Sequence, residues 1–176
     1  IRQEYVNLFT DAKYLIWNRT QSHAEKLENH FVNTQAVSDL ENAVSSADII
    51  SAATMSTEPL INGKWIKPGQ HIDLIGAYRS DMREADDNTL QKSRIFVDSF
   101  ETTIDHIGEL KIPVAKGVIN KEDVIADFYD LKEFSRNSED EITLFKNGGG
   151  AHLDLMTSHY IPVSYTHLRA HETGYN

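Results

Sequence analysis

The chain has 176 residues and no cysteine; 40% of its residues are hydrophobic and 25% are charged. This composition supports a buried core without disulfides and excludes both a disulfide-rich secreted scaffold and a disordered tail. Asp and Glu number 27 against 17 Lys and Arg, which repels a phosphate backbone, so we expect no nucleic-acid partner. No apolar run approaches the roughly 20 residues that span a bilayer. We therefore expect a cytoplasmic protein without a membrane partner.

The first part of the chain predicts alternating helices and strands. Residues 1–9 have apolar side chains at one-turn spacing and no initiator Met, so we expect a helix already under way and a chain that is a fragment. Residues 14–17 are all apolar and predict a strand buried on both faces. Capping-box spacings predict two helices. They are Ser22 with Glu25, for a helix to His30, and Ser38 with Glu41, for a helix to Ser46.

Three more strands are predicted in the middle of the chain, over residues 49–53, 71–75 and 95–97. A helix over residues 87–92 precedes the last of them, and prolines mark the loops between the others. A parallel return needs a connection of a dozen or more residues, which these spacings supply. The pattern predicts an α/β fold with a doubly wound parallel sheet, in the manner of a Rossmann-like nucleotide-binding domain.

The pattern changes after Ser99. Residues 121–134 predict an acidic helix, residues 142–145 predict one more strand, and residues 151–159 predict a final helix. The glycines from 148 to 150 separate that strand from that helix. They could bring the backbone close to a ligand, although the glycines alone favour a flexible turn.

The last residues fit no element of this pattern. Residues 163–176 resemble the translated adapter read-through found at the ends of assembled sequences, so we expect a non-native tail. His167 and His171 within this tail have no acidic or thiol partner at ligand spacing apart from Glu172, and the other histidines have no mutual ligand spacing. No metal site is expected.

Polar residues follow the first predicted strand, where ligands bind in doubly wound sheets. The tripeptide Asn18-Arg19-Thr20 offers a guanidinium and neutral donors, which suit the adenosine phosphate of NADP, whereas a carboxylate here would suit NAD. The tripeptide alone is equally consistent with a solvated turn. The small residues of Ala52-Ala53-Thr54 at the next strand end favour the dinucleotide interpretation.

Charged residues also crowd the loop after the third strand. Asp81, Arg83 and Glu84 could orient a substrate or move a proton. Clustered loop charges are more often solvated surface pairs, and composition alone favours that interpretation.

Several separated motifs, in this order, resemble the ornithine cyclodeaminase and mu-crystallin family over residues 1–161. They are Trp17-Asn18-Arg19-Thr20, Thr57-Glu58-Pro59-Leu60, residues 63–69, Gly76-Ala77, residues 82–87 and residues 145–149. The resemblance implies a usually dimeric, NAD(P)-dependent protein. Its glycine fingerprint and most of its substrate and dimerisation domain are expected to precede residue 1. It also implies a nucleotide-binding domain over residues 1–145 and a segment over 146–162 that returns to the substrate domain.

The same resemblance implies which residues bind the cofactor. They are Asn18, Arg19, Thr20, Thr54, Ile75, Gly76, Ala77 and Asn147. The first three match family positions around the adenosine phosphate of NADP. Thr54 matches a strand-end position beside the cofactor. The segment from Ile75 to Ala77 matches the one along the nicotinamide ribose, and Asn147 matches a polar position near the nicotinamide.

One position departs from the family pattern. Tyr78 stands where true ornithine cyclodeaminases carry an Asp credited with acid–base work, and a phenol stays protonated near neutral pH. The departure favours the family's NADPH-dependent reductases of cyclic ketimines such as pyrroline-2-carboxylate and piperideine-2-carboxylate, which form proline or pipecolate. Two alternatives remain. One is an ornithine cyclodeaminase that converts this amino acid to proline and ammonia with bound NAD; the other is a non-catalytic, NADPH-binding protein like mu-crystallin.

Overall fold

The computed structural model describes residues 5, 6, 8–151, 153–155 and 158. Its first part is a small parallel sheet, in which β1 (Tyr14–Ile16) pairs with β2 (Thr34–Ala36) and α1 (Gln21–His30) connects the two strands. The prediction of β1 and α1 is confirmed. The strand β2 was not predicted, because Thr34-Gln35-Ala36 has neither an apolar run nor a clear alternation.

Both capping-box predictions name the wrong N-cap residue. The helix α1 begins after Thr20, and α2 (Leu40–Ser46) begins after Asp39. An Asp39 carboxyl oxygen accepts the Asn42 amide at 3.0 Å, so an acceptor one residue beyond Ser38 caps this helix instead. The predicted last residues of both helices are correct.

The prediction that the first strand is buried on both faces is also wrong. Tyr14 and Ile16 are half-buried, but the Leu15 side chain between them is 38% exposed. This alternation shows that, within the described part of the chain, the small sheet is covered on one face only.

The main sheet has five parallel strands in the order β3–β4–β7–β5–β6. They are β3 (Ile49–Ala52), β4 (His71–Leu74), β5 (Arg94–Val97), β6 (Val124–Ala126) and β7 (Thr143–Lys146). This order confirms the predicted α/β class. The strand β7, last in the chain, is inserted between β4 and β5, so the glycines that follow it emerge at the centre of the sheet.

One face of this sheet carries the core. Ile72, Ile95 and Leu144 are in register on the three central strands and are at most 1% exposed. Burying each of these side chains contributes roughly 1.5–3 kcal/mol. The helices that supply partners are α2, α3 (Asp87–Lys92) and α5 (Gly108–Ala115), through Val44, Leu90 and Leu110. The helix α3 matches its predicted bounds.

The acidic helix predicted over residues 121–134 is wrong. That stretch forms a 3-10 turn (Lys121–Asp123), the edge strand β6 and a second 3-10 turn (Leu131–Glu133). Val124 and Ala126 are buried and Ile125 is 36% exposed, the two-residue period of a strand. Two helices that the sequence did not predict, α4 (Phe100–Thr103) and α5, precede this stretch.

The ends of the chain are described only in part. Residues 5, 6 and 8 are helical, as are 151, 153–155 and 158, in agreement with the two helices predicted there. The rest of those predicted helices and the whole of residues 163–176 lie outside the described residues. Within the described ranges, no helix is both long enough and apolar enough to cross a bilayer.

Candidate functional site

The main chain at the end of β3 closely approaches the main chain at the end of β4. Thr54 follows β3 and Gly76 follows β4, and these strands are neighbours in the sheet. A methyl group on Gly76 would overlap both the carbonyl oxygen and the amide nitrogen of Thr54. Glycine is therefore required for this close approach of two backbones. We call residues Thr54, Ile75, Gly76 and Ala77 the strand-end shelf.

The Glu84 side chain forms hydrogen bonds with both strand ends of the strand-end shelf. It is completely buried, and its Oε1 accepts the Thr54 amide at 2.6 Å and the Thr54 hydroxyl at 2.9 Å. Its Oε2 accepts the amides of Gly76 at 2.8 Å and Ala77 at 3.2 Å. The two carboxyl oxygens together thus serve four donors.

A second buried carboxyl group fixes Glu84 itself. Glu109, on α5, accepts the Glu84 amide at 2.7 Å and the Ala85 amide at 3.0 Å. Burial raises the pKa of Glu109 from 4.5 to about 7, and the two amide donors oppose that rise. Glu109 thus titrates near neutral pH inside the core.

Lys146 supplies a positive charge beside these carboxyl groups. Its side chain is completely buried at the end of β7, and its Nζ donates to the Leu74 carbonyl oxygen at 3.0 Å. Burial lowers the pKa of Lys146, while the nearby Glu109 and Glu84 raise it. The cluster therefore balances buried charges of opposite sign.

Asn147 connects β7 to the strand-end shelf. Its amide donates to the Leu74 carbonyl oxygen at 3.0 Å, one residue before Ile75. Its side-chain Oδ1 accepts the Gly149 amide at 2.8 Å and folds the glycine segment back on itself. The structure thus brings Asn147 beside the shelf, as the predicted site requires.

Asp98 anchors the same glycine segment. This buried side chain, directly after β5, accepts the Thr103 hydroxyl at 2.8 Å and the Gly150 amide at 3.2 Å. A methyl group on Gly148 would lie 2.6 Å from the Thr103 hydroxyl. Gly148 is therefore closely packed and the amides of Gly149 and Gly150 are hydrogen-bonded, whereas Gly149 has open space around it.

The predicted phosphate-binding turn lies at the end of the other sheet. Asn18, Arg19 and Thr20 are exposed between β1 and α1, and Asn18 Oδ1 accepts the Thr20 amide at 2.9 Å. That bond turns the chain just before the first helical residue. The Arg19 side chain, in solvent beside a helix N-terminus, is available to an anion.

The charged loop after the shelf divides into an exposed and a buried part. Tyr78 is 58% exposed, and Arg79 and Asp81 form an exposed ion pair at 2.9 Å. Arg83 and Glu84 are buried, so the prediction of solvated surface pairs holds for Asp81 and is wrong for the other two. Among the described residues no three His, Asp or Glu side chains are placed to hold a metal ion.

Sequence reasoning missed three contributors to this site: Glu84 as a buried acceptor, Glu109 and Lys146. For Glu84 the signal was its place in the family-like motif of residues 82–87. Lys146 had the same kind of signal, since it lies in the family-like motif of residues 145–149. Glu109 carries no local signal, because a single charged residue next to apolar ones is ordinary at a surface.

Comparison with known proteins shows which family the chain belongs to. The family model described as ornithine cyclodeaminase/mu-crystallin family matches residues 8–167. The chain belongs to this family. A Delta(1)-pyrroline-2-carboxylate reductase of Paracoccus denitrificans is 53% identical over 153 residues, which are 83% of this chain and 48% of that protein.

Two solved structures have a fold similar to that of this chain. The Thermococcus litoralis Delta(1)-pyrroline-2-carboxylate reductase, in complex with NADH and L-proline, has a TM-score of 0.73 at 31% identity, covering 78% of this chain and 45% of that one. An archaeal alanine dehydrogenase dimer with bound NAD also has a TM-score of 0.73, at 29% identity, covering 84% and 49%. The chain spans about half the length of the relatives it matches.

Proposed function

We propose that the full-length protein is an NADPH-dependent reductase of cyclic ketimines, acting on pyrroline-2-carboxylate or piperideine-2-carboxylate in proline or pipecolate metabolism. The observation that carries the proposal is the 53% identity to a Delta(1)-pyrroline-2-carboxylate reductase. The strand-end shelf supports it, because it lies at the carboxyl ends of parallel strands, where ligands bind in doubly wound sheets.

The residues present fit a nicotinamide nucleotide. Gly76 has no side chain and is partly exposed, so main chain forms the surface there and a planar ring can lie against it; Ala77, which is completely buried, supports this segment. When bound, the nicotinamide supplies the hydride that reduces the C=N bond. We assign Thr54, Ile75, Gly76, Ala77 and Asn147 to holding that end of the cofactor. Glu84 fixes the main chain of the shelf through its hydrogen bonds to Thr54, Gly76 and Ala77.

The adenosine end is assigned to the exposed turn Asn18-Arg19-Thr20. The Arg19 guanidinium and the N-terminus of α1 both favour a phosphate dianion, and no carboxylate occupies the turn to bind a ribose hydroxyl in its place. These features support NADP over NAD. NAD is the alternative cofactor for a reductase, because the Thermococcus litoralis reductase is described in complex with NADH.

Tyr78 is assigned to the substrate side. It follows Ala77 directly and its side chain is 58% exposed. A phenol keeps its proton near neutral pH and can donate a hydrogen bond, but it cannot take a proton from an amino group as a carboxylate would. Reduction of a preformed imine needs no such base, which is why Tyr78 supports the reductase over a cyclodeaminase.

The remaining proposals concern the whole protein. We propose that residues 1–145 form the nucleotide-binding domain, that residues 146–162 return to a substrate domain, and that residues 163–176 are not native. A homodimer in the cytoplasm is the setting we propose; it is consistent with the dimeric alanine dehydrogenase of similar fold.

The experiment is an assay of the full-length gene product with each ketimine. We expect loss of NADPH absorbance with one of the two rings and a cyclic amino acid as product. Release of ammonia from ornithine without net change in the cofactor would support a cyclodeaminase instead. Binding of NADPH without turnover of either ring would support a non-catalytic protein.

A further inference from the structure

We propose that Glu84 is a positioning residue for the cofactor: its carboxyl group sets the relative position of Thr54 and the Gly76-Ala77 segment, and so shapes the surface against which the nicotinamide lies. This inference rests on the proposed function, because it takes a nicotinamide nucleotide as the ligand of the shelf. Glu84 does not touch the cofactor in this account. It acts through the main chain of the shelf.

The Glu84 side chain joins two strand ends that are distant from it in sequence. Thr54 and Gly76 belong to different strand ends, 30 and 8 residues away from Glu84 in sequence. Within the strands, the last ladder contact is the Ile75 amide on the Ala52 carbonyl oxygen at 2.8 Å. Beyond it, Glu84 bridges the two strand ends with four hydrogen bonds.

The acceptor chemistry makes the requirement specific. All four groups that face Glu84 are donors, so only a side chain with two acceptor oxygens can serve them together. Glutamine would place an NH₂ group against two of these donors. Aspartate keeps both oxygens but is one methylene shorter, so it cannot reach both strand ends in the same arrangement.

The backbone of Glu84 is itself fixed from both sides. Its amide donates to Glu109 at 2.7 Å, and its carbonyl oxygen accepts the amides of Leu60 and Ile61, each at 2.9 Å. The main chain that carries this carboxyl group is therefore held in place by hydrogen bonds on both sides. Preorganisation of this kind lowers the cost of ordering a binding surface when the ligand arrives.

The test compares three variants of the full-length gene product: Glu84→Gln, Glu84→Asp and Asp127→Asn. Asp127 is the matched control. It is also a buried carboxyl group that accepts two backbone amides, from Phe100 at 3.1 Å and Tyr129 at 3.0 Å, but it follows β6 at the far edge of the sheet. Two quantities are measured: the Kd for NADPH by fluorescence titration, and amide hydrogen exchange of residues 54, 76 and 77.

We expect each Glu84 variant to raise the Kd at least about tenfold and to speed exchange of these three amides. Asp127→Asn should change neither quantity, even where it lowers the melting temperature equally. Folded Glu84 variants with unchanged Kd overturn the inference. It is also overturned if both Glu84 variants fail to fold while Asp127→Asn folds, because the role is then structural.

This design separates the inference from the proposed function. A wild-type protein that binds NADPH but reduces neither ring contradicts the reductase, and the ratio of variant to wild-type Kd still tests Glu84. A wild-type protein that binds no nicotinamide nucleotide contradicts both proposals; the exchange measurement then reports only whether Glu84 holds the strand ends.

Discussion

The amide nitrogen of Glu84 lies 2.7 Å from a carboxyl oxygen of Glu109, and both side chains are completely buried. Glu109 fixes the main chain of Glu84, and the Glu84 side chain in turn fixes the strand-end shelf. A surface loop of charged residues is thereby connected, through the core, to the helix α5.

The burial of Glu109 makes stability depend on pH. Since burial raises its pKa from 4.5 to about 7, the folded protein binds a proton that the unfolded chain releases in this interval. The contribution of Glu109 to stability is full below pH 4.5 and is lost as the pH rises through about 7.

Glu109→Gln removes this dependence. We expect the free energy of unfolding of the wild type, minus that of the variant, to fall by more than about 1 kcal/mol between about pH 4.5 and about pH 8. Urea unfolding of both proteins across this range measures the difference. A difference that stays constant, or that grows with pH, would contradict the account of Glu109.

Gly76→Ala should open the strand-end shelf. The added methyl group overlaps the Thr54 backbone, which cannot move aside without separating β3 from β4. We expect a loss of stability of about 3 kcal/mol or more, together with loss of NADPH binding.

Gly117→Ala is the matched control for that substitution. Gly117 has a φ of +69° and open space around it, so the methyl group costs only the left-handed strain of about 1–2 kcal/mol. Thermal melts and cofactor titration compare the two variants. Equal losses of stability, with NADPH binding intact in both, would show that the close approach at Gly76 is unimportant.

Asp98→Asn should loosen the glycine segment after β7. The amide group replaces one carboxyl oxygen with a donor, so the Thr103 hydroxyl or the Gly150 amide loses its buried acceptor. We expect a cost of about 1–3 kcal/mol and faster hydrogen exchange of the Gly150 amide. Asp105→Asn, at an exposed carboxyl group paired with Lys121, should change neither measurement noticeably. Slow exchange of Gly150 in Asp98→Asn would contradict the anchoring role.

The sequence predicted those parts of the fold whose signals are local. Short stretches rich in apolar residues predicted β3, β4 and β5 within a residue or two, and the predicted bounds of α3 match the structure. The edge strand β6 was mistaken for a helix, because acidic residues on both sides obscured its short alternation. The helix α5 was not predicted because it contains Pro113, and a proline inside a helical stretch usually ends or kinks the helix.

The site was predictable only where it is carried by contiguous residues. The turn Asn18-Arg19-Thr20 and the pair Gly76-Ala77 are contiguous, and the family resemblance identified both. The role of Glu84 depends on donors from two strand ends that come together only in three dimensions. Apart from the family-like motif of residues 82–87, no local pattern distinguishes this buried glutamate from the exposed Asp81 three residues earlier.

The most direct test of the account is the cofactor preference of Arg19→Ala in the full-length gene product, with Lys26→Ala as control for the loss of an exposed cation on the adjoining helix. We predict that Arg19→Ala raises the Kd for NADPH about 10- to 100-fold and leaves that for NADH within about twofold, since only NADPH carries the adenosine phosphate. Lys26→Ala should change neither value. Equal weakening of both cofactors by Arg19→Ala, or no weakening of either, would contradict the central claim.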